Sequence, residues 1–381
     1  LILSLKKDLD DIPYETLISW LRLSRSENVG PVSFFQLLSL YPSAQAALEA
    51  LPIWAKRGGR TQSLRVCSLQ EAEQEFEKLT KFGGQFIPLN DSRYPEILKS
   101  IHDPPPLISV KGNIVLFTEK IIGIVGARNA SLNGKKLAHL YAYELGNKGY
   151  KIVSGMARGI DSAAHEGSIT SGTLAVLAGG INYIYPPENK KLYDEIADKG
   201  LLIAESSFDT TPQASHFPRR NRLISGLSLG VVIVEAAIKS GSLITAQFAL
   251  EQGREVFAVP GSPLDPRCHG TNQLIQHGAA LVQSSRDILQ GVEKPFSYIT
   301  APLKQKTYPL DEVDQQDFSR LLHRAREVIL ENLSFSPILI DELIRECNFP
   351  YQVVMTILLE LELAGRLNRH VGQKVSLRGD L

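Results

Sequence analysis

The plainest pattern along the chain lies in its middle third. Short apolar runs recur there at 121–125 (IIGIV), 151–155 (KIVSG), 173–178 (TLAVLA), 201–205 (LLIAE), 230–236 (GVVIVEA) and 255–261 (EVFAVPG). Runs that stay apolar at successive positions must be buried on both faces, as strands in a parallel sheet are. Between them lie stretches of helical period, for example 133–148, 160–171 and 242–252. Strand and helix patterns alternating at this spacing predict an α/β domain over 81–291. It is a Rossmann-like, doubly wound, mostly parallel sheet with helices on both faces. Residues 85–113, with Pro104-Pro105-Pro106, break the pattern and read as an extension covering one edge or face.

The flanks are different. Residues 1–80 read as short helices without a strand pattern, a small domain of the SAM or helix-hairpin-helix type. The turn Asn28-Val29-Gly30-Pro31 is followed by Phe34, Phe35, Leu37 and Leu38. Such a turn can offer backbone amides to a phosphate or simply pack a hairpin, and it carries little positive charge. Residues 292–316 hold Pro295, Pro302 and Pro309 among polar residues and read as a linker. Over 317–381 three helices are predicted: FSRLLHRAREVILENL, a second capped by Ser336 with Pro337 at its first position, and QVVMTILLELELAG ended by Gly365. Leu367–His370 and Lys374–Leu377, joined at Gly372, complete a winged helix as a two-stranded wing. Residues 350–364 contain no Lys or Arg and carry Glu360 and Glu362. That points to a protein-contact or accessory role rather than to reading a duplex, though Arg366, Arg369 and Lys374 keep a phosphate contact near the wing open.

Composition removes several classes of function. The 381 residues are 43% hydrophobic and 22% charged, ordinary for a soluble globular chain. No apolar run reaches the length of a bilayer span, and the opening LILSLKKDLDD is too short and too soon acidic for a secretory signal, so no membrane partner is expected. Cys67, Cys268 and Cys347 lie far apart without ligand spacing, which fits a reducing cytoplasm and argues against a disulfide frame or a metal site. The first strand turns at Gly123-Ile-Val-Gly126-Ala127-Arg128, without the third glycine or the later acid of a dinucleotide fingerprint. A phosphate-binding G-x-x-x-x-G-K-[ST] loop is also missing from the sequence. No cofactor, no metal and no catalytic residue are expected.

Formal net charge is zero, with 41 basic and 41 acidic residues, so any nucleic-acid site must concentrate its cations locally. Ligands of open parallel sheets bind beyond the carboxyl ends of the strands. The segments placed there are rich in small, hydroxyl and basic residues. They supply Arg128, then Ser154, Gly155 and Arg158, then Lys190 and Lys191, then the dense run Arg219, Arg220, Asn221 and Arg222. Phosphates accept from amide, hydroxyl and guanidinium donors, and this mixture supplies all three. Gly126, Asp161, Glu235, Ser240, Gly241 and Thr245 read as bracing the pocket. Arg222 is also a candidate structural partner of Glu235 or Asp161. Tyr183, Tyr185 and Phe217 are candidates either for core packing or for stacking on unpaired bases, which would favour single strands.

At these residues the chain resembles the DNA-processing protein A family, also called DprA or Smf. The resemblance runs through most of the middle domain. Its motifs stand in order: Gly126-Ala127-Arg128, SGMARGID, Ala164-His165, AVLAGG with YPPENKKL, FPRRNRLISGLS, VVIVEA, SGSLITA with the later GRE, VFAVPG, and GTNQLIQHGA. It implies a non-enzymatic protein of natural transformation. Such a protein binds incoming single-stranded DNA without sequence preference, protects it, and helps to load a RecA-type recombinase. It also implies a homodimer formed through the Rossmann-like domain. Two other classes stay open on the residues alone. One is a nucleotide-binding or nucleotide-processing enzyme with Glu235 as acid or base; the other is an interaction scaffold with an incidental basic rim.

Overall fold

A computed structural model describes residues 12–293 and 315–379, with 315–319 as backbone only. Four helices come first: α1 (Tyr14–Arg25), α2 (Pro31–Leu40), α3 (Ala44–Arg57) and α4 (Leu69–Lys81). The middle of the chain then runs β1 (Gln85–Pro88), α5 (Glu96–Lys99), β2 (Leu107–Gly112), β3 (Ile121–Gly126), α6 (Leu132–Asn147), β4 (Lys151–Ser154) and α7 (Ile160–Ser168). It continues β5 (Thr173–Leu177), α8 (Lys190–Lys199), β6 (Leu201–Ala204), α9 (His216–Gly226), β7 (Gly230–Val234), α10 (Gly241–Glu251) and β8 (Glu255–Ala258). It ends with α11 (His269–Gln276), β9 (Ala280–Leu281) and α12 (Ser285–Val292).

These nine strands form one sheet in the order β1-β2-β6-β5-β4-β3-β7-β8-β9. From β6 to β9 every neighbouring pair is parallel, whereas β2 runs antiparallel to both β1 and β6. The six apolar runs are β3 to β8. The irregular 85–113 stretch is the antiparallel pair that extends one edge. Residues on β3 alternate between two cores: Ile121 and Val125 join the core under α9 and α10, Ile122 and Ile124 the core under α6 and α7. Val231 and Ile233 against Val232 and Val234 do the same on β7. Apolar side chains on both faces are thus what the sheet requires. From β3 the chain winds outward through β4, β5 and β6, then returns to β7 on the other side of β3. The crevice at the carboxyl ends of β3 and β7 is the topological switch point, where doubly wound sheets bind ligands.

The last segment holds α13 (Gln315–Asn332), β10 (Ile338–Leu339), α14 (Ile340–Cys347), α15 (Tyr351–Leu363), β11 (Leu367–His370) and β12 (Lys374–Leu377), a winged helix. The wing lies where the sequence puts it, and Gly365 with φ 77 ends α15. The second helix does not start at Ser336-Pro337. Ile338 and Leu339 pair with Val375 and Lys374 of the wing, so the helix begins only at Ile340. The chain groups into two compact units. One is built on Glu73–Glu293 with Tyr14; the other joins Glu15–Ala72 to the described residues from 315 to 379. The first and last segments therefore belong to one body, not to separate modules at either end of the middle domain.

Candidate nucleic-acid interface

Beyond Gly126 the chain passes Arg128 and Asn129 and enters α6 through Ser131, whose Oγ accepts from the Gly134 amide at 2.9 Å. Gly126 lies so close to β7 that a Cβ there would meet the Val234 carbonyl oxygen at 1.9 Å. Glu235, at the end of β7 with φ 56, accepts from the Ser131 amide at 2.8 Å and from the Ser131 hydroxyl. Its carboxylate thereby satisfies the start of α6, where amides and the helix dipole favour negative charge. Ser240 caps α10, accepting from the Ser242 amide at 3.3 Å, and the Gly241 carbonyl accepts from Asn221 Nδ2 at 3.2 Å. Thr245 is buried beneath them.

The β4 turn is organised around a buried acid. Asp161 Oδ2 accepts from the amides of Gly155 (3.1 Å) and Ala157 (3.3 Å). Burial raises the Asp161 pKa, while the charge on Arg220 and these two amides oppose the rise. The amides expected to hold a phosphate thus already hold a carboxylate. Ser154 is fully buried and donates to the Ile124 carbonyl at 2.6 Å, so it ties β4 to β3 and is no phosphate donor.

The basic run divides in two. Arg219 is exposed, 3.8 Å from Glu205. Arg220 is buried and donates through Nη1 to the carbonyl of Gly155 at 2.5 Å and to that of Val176. Gly155 makes room for it, because a Cβ there would lie 2.6 Å from the guanidinium. Burial pulls the Arg220 pKa down to about 10; Asp161 resists this and Arg128 adds to it. Arg222, also buried, pairs with Glu205 at 2.5 Å and Asp103 at 3.2 Å, not with Glu235 or Asp161. Asn221 is likewise buried. The expectation that all four side chains face DNA is corrected by the burial of α9: from Arg220 to Gly226 every residue is buried, so of the four only Arg219, in the first turn, reaches solvent.

What faces solvent is an open groove of about 920 Å³ between the starts of α6 and α7. Arg128, Lys135, Lys136, His139 and Arg158 line it, with Asn129, Ser162 and Asn189 as neutral polar groups. Glu166 and Glu188 are its acids, so four permanent cations outnumber two carboxylates. Arg158 pairs with Glu188, both well exposed, and an exposed pair of this kind opens at little cost. Arg128, Lys135 and Lys136 form no ion pair within 4 Å among the described residues, although Arg128 feels the charge of the buried Asp161. Arg128 also reaches past the groove to lie over the Phe217 ring at 4.9 Å, and that ring packs against Tyr185 at 5.4 Å. Tyr183 and Tyr185 are about two-fifths exposed, at 38% and 43%. Lys190 and Lys191 stand exposed on α8, held by Asp194 (2.6 Å) and Glu195 (4.0 Å) one turn on.

Lys135, Lys136 and His139 escape a search confined to strand ends. Their signal is an adjacent lysine pair in the first turns of the helix that follows Arg128. Among the described residues no cluster of His, Cys, Asp or Glu is placed to hold a metal ion, and no helix is long and apolar enough to cross a membrane.

The chain matches three family models in succession: the DprA-like N-terminal HHH domain over 15–77, DNA recombination-mediator protein A over 85–293 and the DprA winged helix domain over 319–373. The DNA processing protein DprA of Bacillus subtilis is 46% identical over 61% of this chain and 82% of its own length. Protein Smf of Escherichia coli is 37% identical over 77% of each. Protein Smf of Synechocystis is 30% identical over 94% of this chain and 98% of that protein. The crystal structure of DprA from Streptococcus pneumoniae superposes with a TM-score of 0.60 at 35% identity, covering 72% of this chain and 96% of that one. A structure of DNA processing protein A from Helicobacter pylori, described for its single-stranded DNA binding mode, superposes with a TM-score of 0.50 at 30% identity over 54% and 94%. With its central domain and both flanking domains matched, the chain belongs to the DNA recombination-mediator protein A family, known as DprA or Smf.

Proposed function

We propose that this chain binds single-stranded DNA along the cationic groove, without sequence preference and without turnover. The role would be that of its family in natural transformation: protecting incoming strands and assisting the loading of a RecA-type recombinase. The observation that carries this is Arg128, which lines the groove with Lys135 and Lys136 and also covers the Phe217–Tyr185 pair. A phosphate track beside stackable rings suits an unpaired strand, whose bases are free to turn toward the aromatics. Lys190, Lys191, Arg158 and Arg219 extend the positive rim. Ser154, Gly155, Arg220, Asn221 and Arg222 act from beneath, holding the loops that present it.

The open sheet edge at β9, with Ala280 and Leu281 both exposed, supports homodimerisation through this domain in a cytoplasmic protein. Anisotropy titrations of a labelled oligo-dT in a length series, at low salt and against a duplex of equal length, test the function. Tighter binding of the single strand is expected. An oligo-dT that leaves the anisotropy unchanged at low salt would sink the proposal.

A further inference from the structure

The third helix of the winged helix is apolar on two sides. Val353, Val354, Ile357, Leu358 and Leu361 complete the winged-helix core, where Glu360 is buried and held by Arg326 at 2.5 Å. Leu359 and Leu363 belong to a different core, that of the N-terminal helices, with Leu23, Phe34, Leu37 and Leu51. Polar contacts frame this second contact face. Asn28, at φ 59, donates from Nδ2 to the Leu363 carbonyl at 3.2 Å, satisfying one of the last-turn carbonyls that α15 cannot satisfy itself. Arg366 Nη1 donates to the Gly58 carbonyl at 3.3 Å. Gly58, just past α3, lets the two helices touch: a Cβ there would stand 2.0 Å from the Glu360 carbonyl oxygen.

The surfaces brought together are the ones such folds otherwise offer to nucleic acid. A winged helix lays its third helix in a groove, and a hairpin turn presents amides to a phosphate. Here the Gly30 amide is taken by Ser33 Oγ at 2.8 Å, and the Glu362 carboxylate lies beside the turn, 3.4 Å from where a Gly30 Cβ would be. Arg369 holds Glu362 in place at 2.8 Å. A carboxylate thus stands where a phosphate would approach. The absence of Lys and Arg from α15 suits a helix that meets protein on both sides.

We propose that α15 is an intrachain docking helix whose partner is the N-terminal hairpin module. The two flanking modules then act as one closed body, each covering the face the other would turn toward nucleic acid. The proposal stands independently of the groove on the central domain.

Hydrogen exchange read by mass spectrometry on the full chain tests it. Gly58 has an ordinary φ of −72, so Gly58→Val adds no left-handed strain and acts only by pushing on α15. Exchange is expected to rise by about tenfold or more in both 31–57 and 351–363, with 121–258 at wild-type rates. A rise confined to 31–57 overturns the proposal. Asn28→Ala, a milder change if the valine variant does not fold, should speed exchange by roughly two- to fivefold at the end of α15 as well as around residue 28. In the wild type, adding a short DNA duplex should leave 351–363 unchanged; slowed exchange there would mean that α15 is open to DNA.

Discussion

Replacing Arg128, Lys135 and Lys136 together with Ala removes the three groove cations that form no ion pair among the described residues. All three are exposed, so the fold should be untouched and the circular dichroism spectrum unchanged. The effect belongs to counterion release. Each phosphate neutralised on a single strand contributes about 0.7 to the slope of log affinity against log salt. Three lost contacts therefore flatten the slope by about 2. If the two lines meet near ~1 M salt, where screening removes most of the attraction, the variant binds about a hundredfold more weakly at ~0.1 M. Anisotropy titrations of oligo-dT across a salt series measure both quantities at once. A variant whose line runs parallel to that of the wild type, even if displaced, would refute phosphate contact by these side chains, because a displaced parallel line reports lost packing and not lost counterion release.

The remaining predictions concern the layer beneath the groove and the rings beside it. Arg220→Ala strands the Gly155 and Val176 carbonyls and the nearby Asp161 carboxylate in the interior. A cost of about 3 kcal/mol is expected, or roughly 6–12 °C in the melting temperature; a calorimetric shift below about 2 °C would show that the side chain is not structural. His165 is fully buried against Thr173 Oγ1 at 2.7 Å, and burial, with the Arg220 charge, lowers its pKa to about 3. The unfolded chain then takes up this proton first, so stability is full above about pH 6.5 and falls as pH drops toward 3, by about 1.4 kcal/mol per unit. Urea titrations at pH 7 and pH 5 should find a smaller pH dependence in His165→Gln than in the wild type. Equal dependence in both would contradict the assignment. Phe217→Leu, which keeps the apolar contact but removes the ring, should weaken oligo-dT binding by about 1–3 kcal/mol with the salt slope unchanged. Wild-type affinity in that variant would leave the ring without a role in stacking.

The residues on β3 and β7 explain why so much of the central fold could be read directly. Each strand is apolar at every position because helices cover both faces, and that requirement is local enough to be written into five consecutive residues. The wing was legible for the same reason, its turn marked by Gly372. Strand β10 was not: Ser336-Pro337 is a good local helix start, but Ile338 and Leu339 gain more by pairing with the wing, a contact with residues almost forty positions on. The basic run of α9 separates the two kinds of information most clearly. Composition placed four DNA-competent side chains side by side, but a helix distributes consecutive residues around its axis. Burial of α9 on all sides from Arg220 onward then decided that Arg219 faces outward while Arg220 and Arg222 serve Gly155, Glu205 and Asp103. By itself the sequence determined the central fold and the family, because these follow from periodicity and from motifs in order. Only the tertiary structure decided which cations reach solvent, that Lys135 and Lys136 join them, and that the first and last segments close on each other. Exposure and charge pairing depend on neighbours brought together from distant parts of the chain.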